Sequence, residues 1–202
     1  MILRLPEGLL RLDGELPAGL HPEAALLARC RAAGLPVPVG AVLLAGHDDL
    51  GPLAPGAAVT LRVLGAHAGV RLSTQDPAAL AAAARGAGGD LVVLRAVASV
   101  HAGRAWTGVR TNAGTDTARA VEGEAHGLDG ASDVRSLMIP ALTRSWQRAH
   151  RGADPWRTPL PPWGMRLARL LRDVRRILGP GPWELTWADD GRTCRLIGVL
   201  PG

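Results

Sequence analysis

The chain has 202 residues, 47% of them apolar, and 23 basic against 18 acidic side chains, for a formal net charge of +5. That length suits one domain or two closely joined lobes with a buried core, and no run approaches the ~20 apolar residues of a membrane span. Phe, Tyr and Lys are absent, so the core is built from Leu, Val, Ala and Trp, and every cation is an Arg.

Cys30 and Cys194 match no metal or redox spacing and are expected to be buried free thiols in a reducing cytoplasm. The opening segment soon meets Pro6, Glu7 and Asp13, and so lacks the apolar run of a secretory leader. The six histidines are dispersed and form no ligand pair, and Ser73 lies in no nucleophile elbow. A hydrolase has little support in this pattern.

In chain order, residues 22 to 33 read as a helix opened by Pro22 and stopped at Gly34. Val39 to Leu44 follows as a buried strand. Val59 to Val63 and Val70 to Ser73 alternate with period two and predict a hairpin. Asp76 and Pro77 open an Ala-rich helix to about Arg85, and Asp90 to Val97 is another buried strand. Residues 103 to 124 predict a long antiparallel ribbon turned around Asn112 to Thr115. Two helices are expected next, Asp133 to Arg151 and Met165 to Leu178, the second with an apolar stripe of Leu167, Leu170, Leu171, Val174 and Leu178. A final hairpin pairs Trp183 to Trp187 with Thr193 to Val199.

Four motifs in this order resemble a known family. They are Ala32-Ala33-Gly34-Leu35-Pro36-Val37-Pro38-Val39-Gly40, Ala102-Gly103-Arg104-Ala105-Trp106-Thr107, Glu124-Ala125-His126-Gly127-Leu128-Asp129-Gly130, and the closing Trp183-Glu184-Leu185 with Leu196 to Pro201. Together they are similar to the ATP-binding domain of phosphoenolpyruvate synthase and pyruvate phosphate dikinase, with the family's long first half compressed. The resemblance implies an α/β (α+β) protein, a shortened ATP-grasp-like fold with antiparallel hairpins and packed helices. It implies an N-terminal lobe over residues 1–100 and a C-terminal lobe over 101–202, or else one compact domain.

Carried over residue by residue, the resemblance places Arg71 at the Arg of the family's Val-Arg-Ser-Ser motif, whose guanidinium reaches nucleotide phosphates. It places Glu184 at the acid that holds Mg²⁺ against them, so Arg71 and Glu184 are the implied cofactor-binding residues and Glu184 the implied metal ligand. The family's phosphate-binding Lys is Glu23 here, the partner Gln is Gly198 and the final Arg is Leu200. The plain alternatives are an exposed strand Arg for Arg71 and a polar residue on a half-buried strand for Glu184. No residue is assigned a catalytic role, since the phosphohistidine domain and pyruvate-binding barrel of the family lie outside this chain. The expectation is weak or vestigial binding of ATP and Mg²⁺, no structural metal, no membrane contact, and a regulatory or assembly role with a nucleotide or partner protein.

A different class is carried by the arginines. Arg166, Arg169, Arg172 and Arg176 lie opposite the apolar stripe of the last helix, and Arg144, Arg148 and Arg151 repeat the pattern before it. Such a row offers phosphate contacts to a nucleic acid or another acidic partner, against the ordinary reading of a solvated helix face.

Overall fold

The computed structural model describes residues 8–49, 58–66, 70–72, 77–108, 115–123, 134–140 and 160–202. The chain divides into two compact units, Met1–Val97 and Ala98–Gly202.

Among the described residues, the first unit holds a five-stranded antiparallel sheet and two helices. The strands are β1 (Leu9–Arg11), β2 (Gly40–Leu43), β3 (Val59–Val63), β4 (Val70–Leu72) and β5 (Leu91–Arg95), in the spatial order β1-β2-β5-β3-β4. Helix α1 (Pro22–Ala32) starts where Pro22 has no N–H to leave unpaired and where His21 Nδ1 accepts from the Glu23 amide. It ends on Gly34 at φ +83°, with the Gly34 amide donating to the Arg31 carbonyl and the Leu35 amide to that of Cys30. This is the left-handed glycine stop that satisfies the last carbonyls of a helix. Helix α2 (Pro77–Gly86) covers one sheet face, where Leu80 and Ala84 pack with Leu9, Ala41, Leu43, Val59, Leu61, Leu91 and Val93. β2 and β5 are buried along both faces, which explains their near-continuous apolar sequences.

The second unit is a sheet of β6 (His101–Trp106), β7 (Thr115–Glu122), β8 (Arg135–Pro140), β9 (Trp183–Asp189) and β10 (Cys194–Pro201), all antiparallel in the order β10-β9-β6-β7-β8. Helix α3 (Pro162–Leu178) packs on β10 and β8 through its buried Trp163, Leu167, Leu170, Leu171 and Val174. Two ion pairs bolt it down. Arg166 donates to both carboxylate oxygens of Asp189, at 2.7 Å each, and Arg175 to both of Asp116, at 2.6 Å each. Both aspartates are buried, and Trp163 stacks between His101 and Trp187.

One expected element is overturned. Residues 134–140, read as the start of a helix, instead form β8 against β7, with Leu137 opposite Ala118 and Ile139 opposite Asp116. Leu137, Met138 and Ile139 are consecutive apolar residues that fit either period, and the free edge of β7 decides for the strand. β1 has no counterpart in the sequence reading, being only three residues long. The two thiols are free and buried, one in each unit. Among the described residues no helix is long and apolar enough to cross a membrane.

Candidate functional site

Directly paired residues of an antiparallel sheet point to the same face, so the register sorts the second unit's side chains into two sets. One set faces α3: His101, Trp187, Asp189, Ala118 and Asp116 belong to it. The other set forms the opposite face. Its central row runs Gly198, Thr186, Arg104, Arg119, Ser136 across all five strands. The next row runs Leu200, Glu184, Trp106, Thr117, Met138.

A bulge brings the last strand into this arrangement. Leu196 pairs with Trp187 and Gly198 with Thr186, so Ile197 is the extra residue. Without it, every later side chain of β10 would point to the other face. With it, Gly198 and Leu200 share the face of Glu184, and Leu200 lies directly opposite Glu184. The positions that the family resemblance groups into a metal site are therefore neighbours on one surface, but only Glu184 among them carries an oxygen ligand. Among the described residues no cluster of three or more His, Cys, Asp or Glu is placed to hold a metal ion.

Gly103 draws β6 and β7 together beside that row. A Cβ at this position would stand 1.9 Å from the Arg119 carbonyl oxygen, so no larger residue fits without parting the strands. Thr107 closes the end of β6, donating from its hydroxyl to the Gly181 carbonyl and accepting from the Trp183 amide. Exposure grades across the row, from buried Thr186 through half-buried Arg104 to exposed Arg119 and Ser136.

Of the other sequence-derived candidates, Arg71 lies on β4 in register with Thr60, in the first unit. Glu23 is turned wholly inward. Its carboxylate accepts from both terminal nitrogens of Arg62 and from the Gly65 amide, and the pair is sealed from solvent. Arg144, Arg148 and Arg151 lie outside the described residues. In α3 the arginines divide. Arg166 is committed to Asp189, whereas Arg169, Arg172 and Arg176 are exposed, with Arg176 3.4 Å from Asp173.

The sequence reading missed Arg104, Arg119, Thr186 and Ser136. For Arg104 and Arg119 the signal was the alternation within the expected ribbon, and for Thr186 the final hairpin, whereas Ser136 fell in a stretch read as helix; which residue stands opposite which depends on pairing that alternation does not specify.

No protein-family model matches the chain, and no curated protein does. Solved structures do. The L-amino acid ligase from Bacillus licheniformis superposes with a TM-score of 0.54 at 15% identity, over 92% of this chain and 42% of that one. The RimK domain ATP-grasp protein from Sphaerobacter thermophilus gives 0.49 at 16% identity, over 88% and 57%. The ATP-grasp ligase PsnB, complexed with a minimal precursor, gives 0.49 at 12%, over 89% and 52%. The chain thus spans between 42 and 57% of the length of these three structures. Taken with the antiparallel sheets and packed helices, the likeness to the L-amino acid ligase establishes a shortened ATP-grasp-like fold for this chain.

Proposed function

We propose that the chain is a nucleotide-binding domain related to the ATP-grasp part of phosphoenolpyruvate synthase, with weakened binding and no phosphotransferase activity of its own. Glu184 on the face opposite α3, in a fold of this type, is the observation that carries the reading. The weakening follows from the residues around it. Gly198 and Leu200 offer no ligand atoms from their side chains, and Glu23 spends its carboxylate on Arg62. A Mg²⁺ ion held by one carboxylate keeps water in its other positions and binds loosely. A domain of this kind serves regulation or assembly, in a reducing cytoplasm that keeps Cys30 and Cys194 as thiols.

Thermal unfolding with Mg-ATP tests the proposal. A ligand that binds only the folded state stabilises it by about 2.7 kcal/mol at a hundredfold excess over its dissociation constant. The shift is expected at millimolar and not micromolar Mg-ATP, and Glu184→Gln and Arg71→Ala are expected to reduce it. With pyruvate and ATP the chain is expected to form no AMP above a protein-free blank. Micromolar binding would refute the weakened site, and AMP formation would refute the inactive one.

A second reading rests on the exposed Arg169, Arg172 and Arg176, which recur at helical spacing along α3. It makes that helix a polyanion-binding face, and steep salt dependence of DNA binding is its signature.

A further inference from the structure

The net charge of +5 belongs to one half of the chain. Residues 1–97 hold eight basic and eight acidic side chains, whereas residues 98–202 hold 15 basic and ten acidic ones. Among the described residues of that second unit, the acids are already engaged. Asp116, Glu122, Asp173, Asp189 and Asp190 pair with Arg175, Arg135, Arg176, Arg166 and Arg195 respectively, and Glu184 lies on the sheet face away from α3. Arg169 and Arg172 of α3 make no ion pair with any described residue, and both are exposed. The exposed residues of α3 are Pro162, Met165, Arg169, Arg172 and Arg176, at successive spacings of three, four, three and four. This is the repeat of a coiled-coil seam, a single line along one side of the helix. Every other position of α3 is buried or half-buried. Within the line three arginines follow one another three and four residues apart, where like charges oppose the helix, and Met165 beside them is 59% exposed.

We propose that this seam docks an acidic amphipathic helix of a partner protein. The inference rests on the reading of α3 as a polyanion-binding face and names the polyanion. A helix carrying Glu or Asp at its own three-four spacing sets a carboxylate against each guanidinium, and planar forks match carboxylate oxygens in pairs. An apolar residue of the same partner covers Met165, whose flexible thioether adapts to a protein surface. A phosphate backbone would use the arginines and leave Met165 without a contact, which is why the helix is the better fit. The seam is held in place from beneath, since Arg166 and Arg175 fix α3 to the buried Asp189 and Asp116. From Met165 to Arg176 it is about 16 Å long at ~1.5 Å per residue. A contact of that length belongs to the small, transient class of interfaces, and its charges make association salt-sensitive.

The experiment titrates the native chain with three fluorescent probes at low and at physiological salt. One is a capped helical peptide with Glu along its three-four stripe and Leu at both ends of the stripe. The second has the same residues rearranged so that the Glu no longer share a face, and the third is a DNA duplex. The patterned peptide is expected to bind roughly tenfold tighter than the rearranged one, a difference that charge alone does not produce. Arg169→Gln with Arg172→Gln is expected to weaken it by about tenfold. Met165→Ser is expected to weaken the peptide severalfold and leave DNA unchanged, and Arg119→Gln, on the other sheet face, to change neither. All four positions are exposed, and circular dichroism checks that each variant is folded. Equal binding of the two peptides overturns the inference, as does native affinity for the patterned peptide in the Met165 variant or the double Arg variant. Arg-dependent binding of DNA that exceeds binding of the patterned peptide overturns it while sparing the polyanion reading of α3. No binding of any probe overturns both.

Discussion

Glu23 of α1 and Arg62 of β3, 39 residues apart, form an ion pair sealed inside the first unit, with side chains 1% and 3% exposed. The Gly65 amide donates to the same carboxylate at 2.9 Å, and Arg62 also reaches the Ala66 carbonyl at 2.6 Å. The helix start is thus tied to the turn that follows β3. A buried pair need not add net stability, but an unpartnered buried charge is costly.

Removing one partner, by Glu23→Leu or Arg62→Met, is therefore expected to destabilise the first unit by about 3–5 kcal/mol. The double variant should recover most of that loss, since neither charge is then left alone. All six Trp lie in the second unit, so urea unfolding is best followed by circular dichroism. Losses that simply add in the double variant would refute the coupling.

Glu23→Lys, which restores the residue type of the resembled family, is expected to unfold the first unit and not to strengthen ATP binding. It would bury two cations together, where desolvation and repulsion act in the same direction. A folded variant with tighter ATP binding, measured by titration, would contradict this account.

Gly103→Ala is expected to part β6 from β7 and cost several kcal/mol, because its Cβ would meet backbone and not a movable side chain. Gly179→Ala is strained for a different reason, its φ of +100°. A Gly103 variant with native melting temperature would show that the strands can give way.

Burial pushes the Cys30 thiol up to about 11 and raises that of Cys194 as well. A thiol whose folded value lies above its unfolded one favours the fold below the unfolded value, and that stability is lost as pH rises toward the folded value. Lys and Tyr, the other side chains that titrate in this range, are absent. Stability is therefore expected to fall between about pH 9 and 11, with a shallower slope in Cys30→Ala than in the native chain. Chemical denaturation across that range measures it, and an unchanged slope in both Cys30→Ala and Cys194→Ala would refute the assignment.

The α3 arginines should separate by partner. Asp189→Asn leaves Arg166 without its buried anion and is expected to destabilise the second unit, read by Trp fluorescence. Arg169→Ala, Arg172→Ala and Arg176→Ala together are expected to change stability little, as surface substitutions do. They should also leave the Mg-ATP shift intact. If α3 binds DNA, each lost phosphate contact lowers the slope of log affinity against log salt by about 0.9.

The local elements were legible in the sequence because their causes are local. Pro22 and Gly34 bound α1, the stripe from Leu167 to Val174 buries α3, and the runs at Gly40–Leu43 and Leu91–Arg95 mark strands covered on both sides. The order of motifs was enough to point to an ATP-grasp-like fold. What only the tertiary structure decided depends on partners distant in sequence. β8 is a strand because the edge of β7 needs one. Glu23 is buried because Arg62 meets it across 39 residues. Arg104 stands opposite Arg119, and Leu200 opposite Glu184, because of ribbon register and the extra residue Ile197. Alternation tells which residues of a strand share a face, but cross-strand pairing sets which charges meet, and that is where the chemistry of this surface is decided.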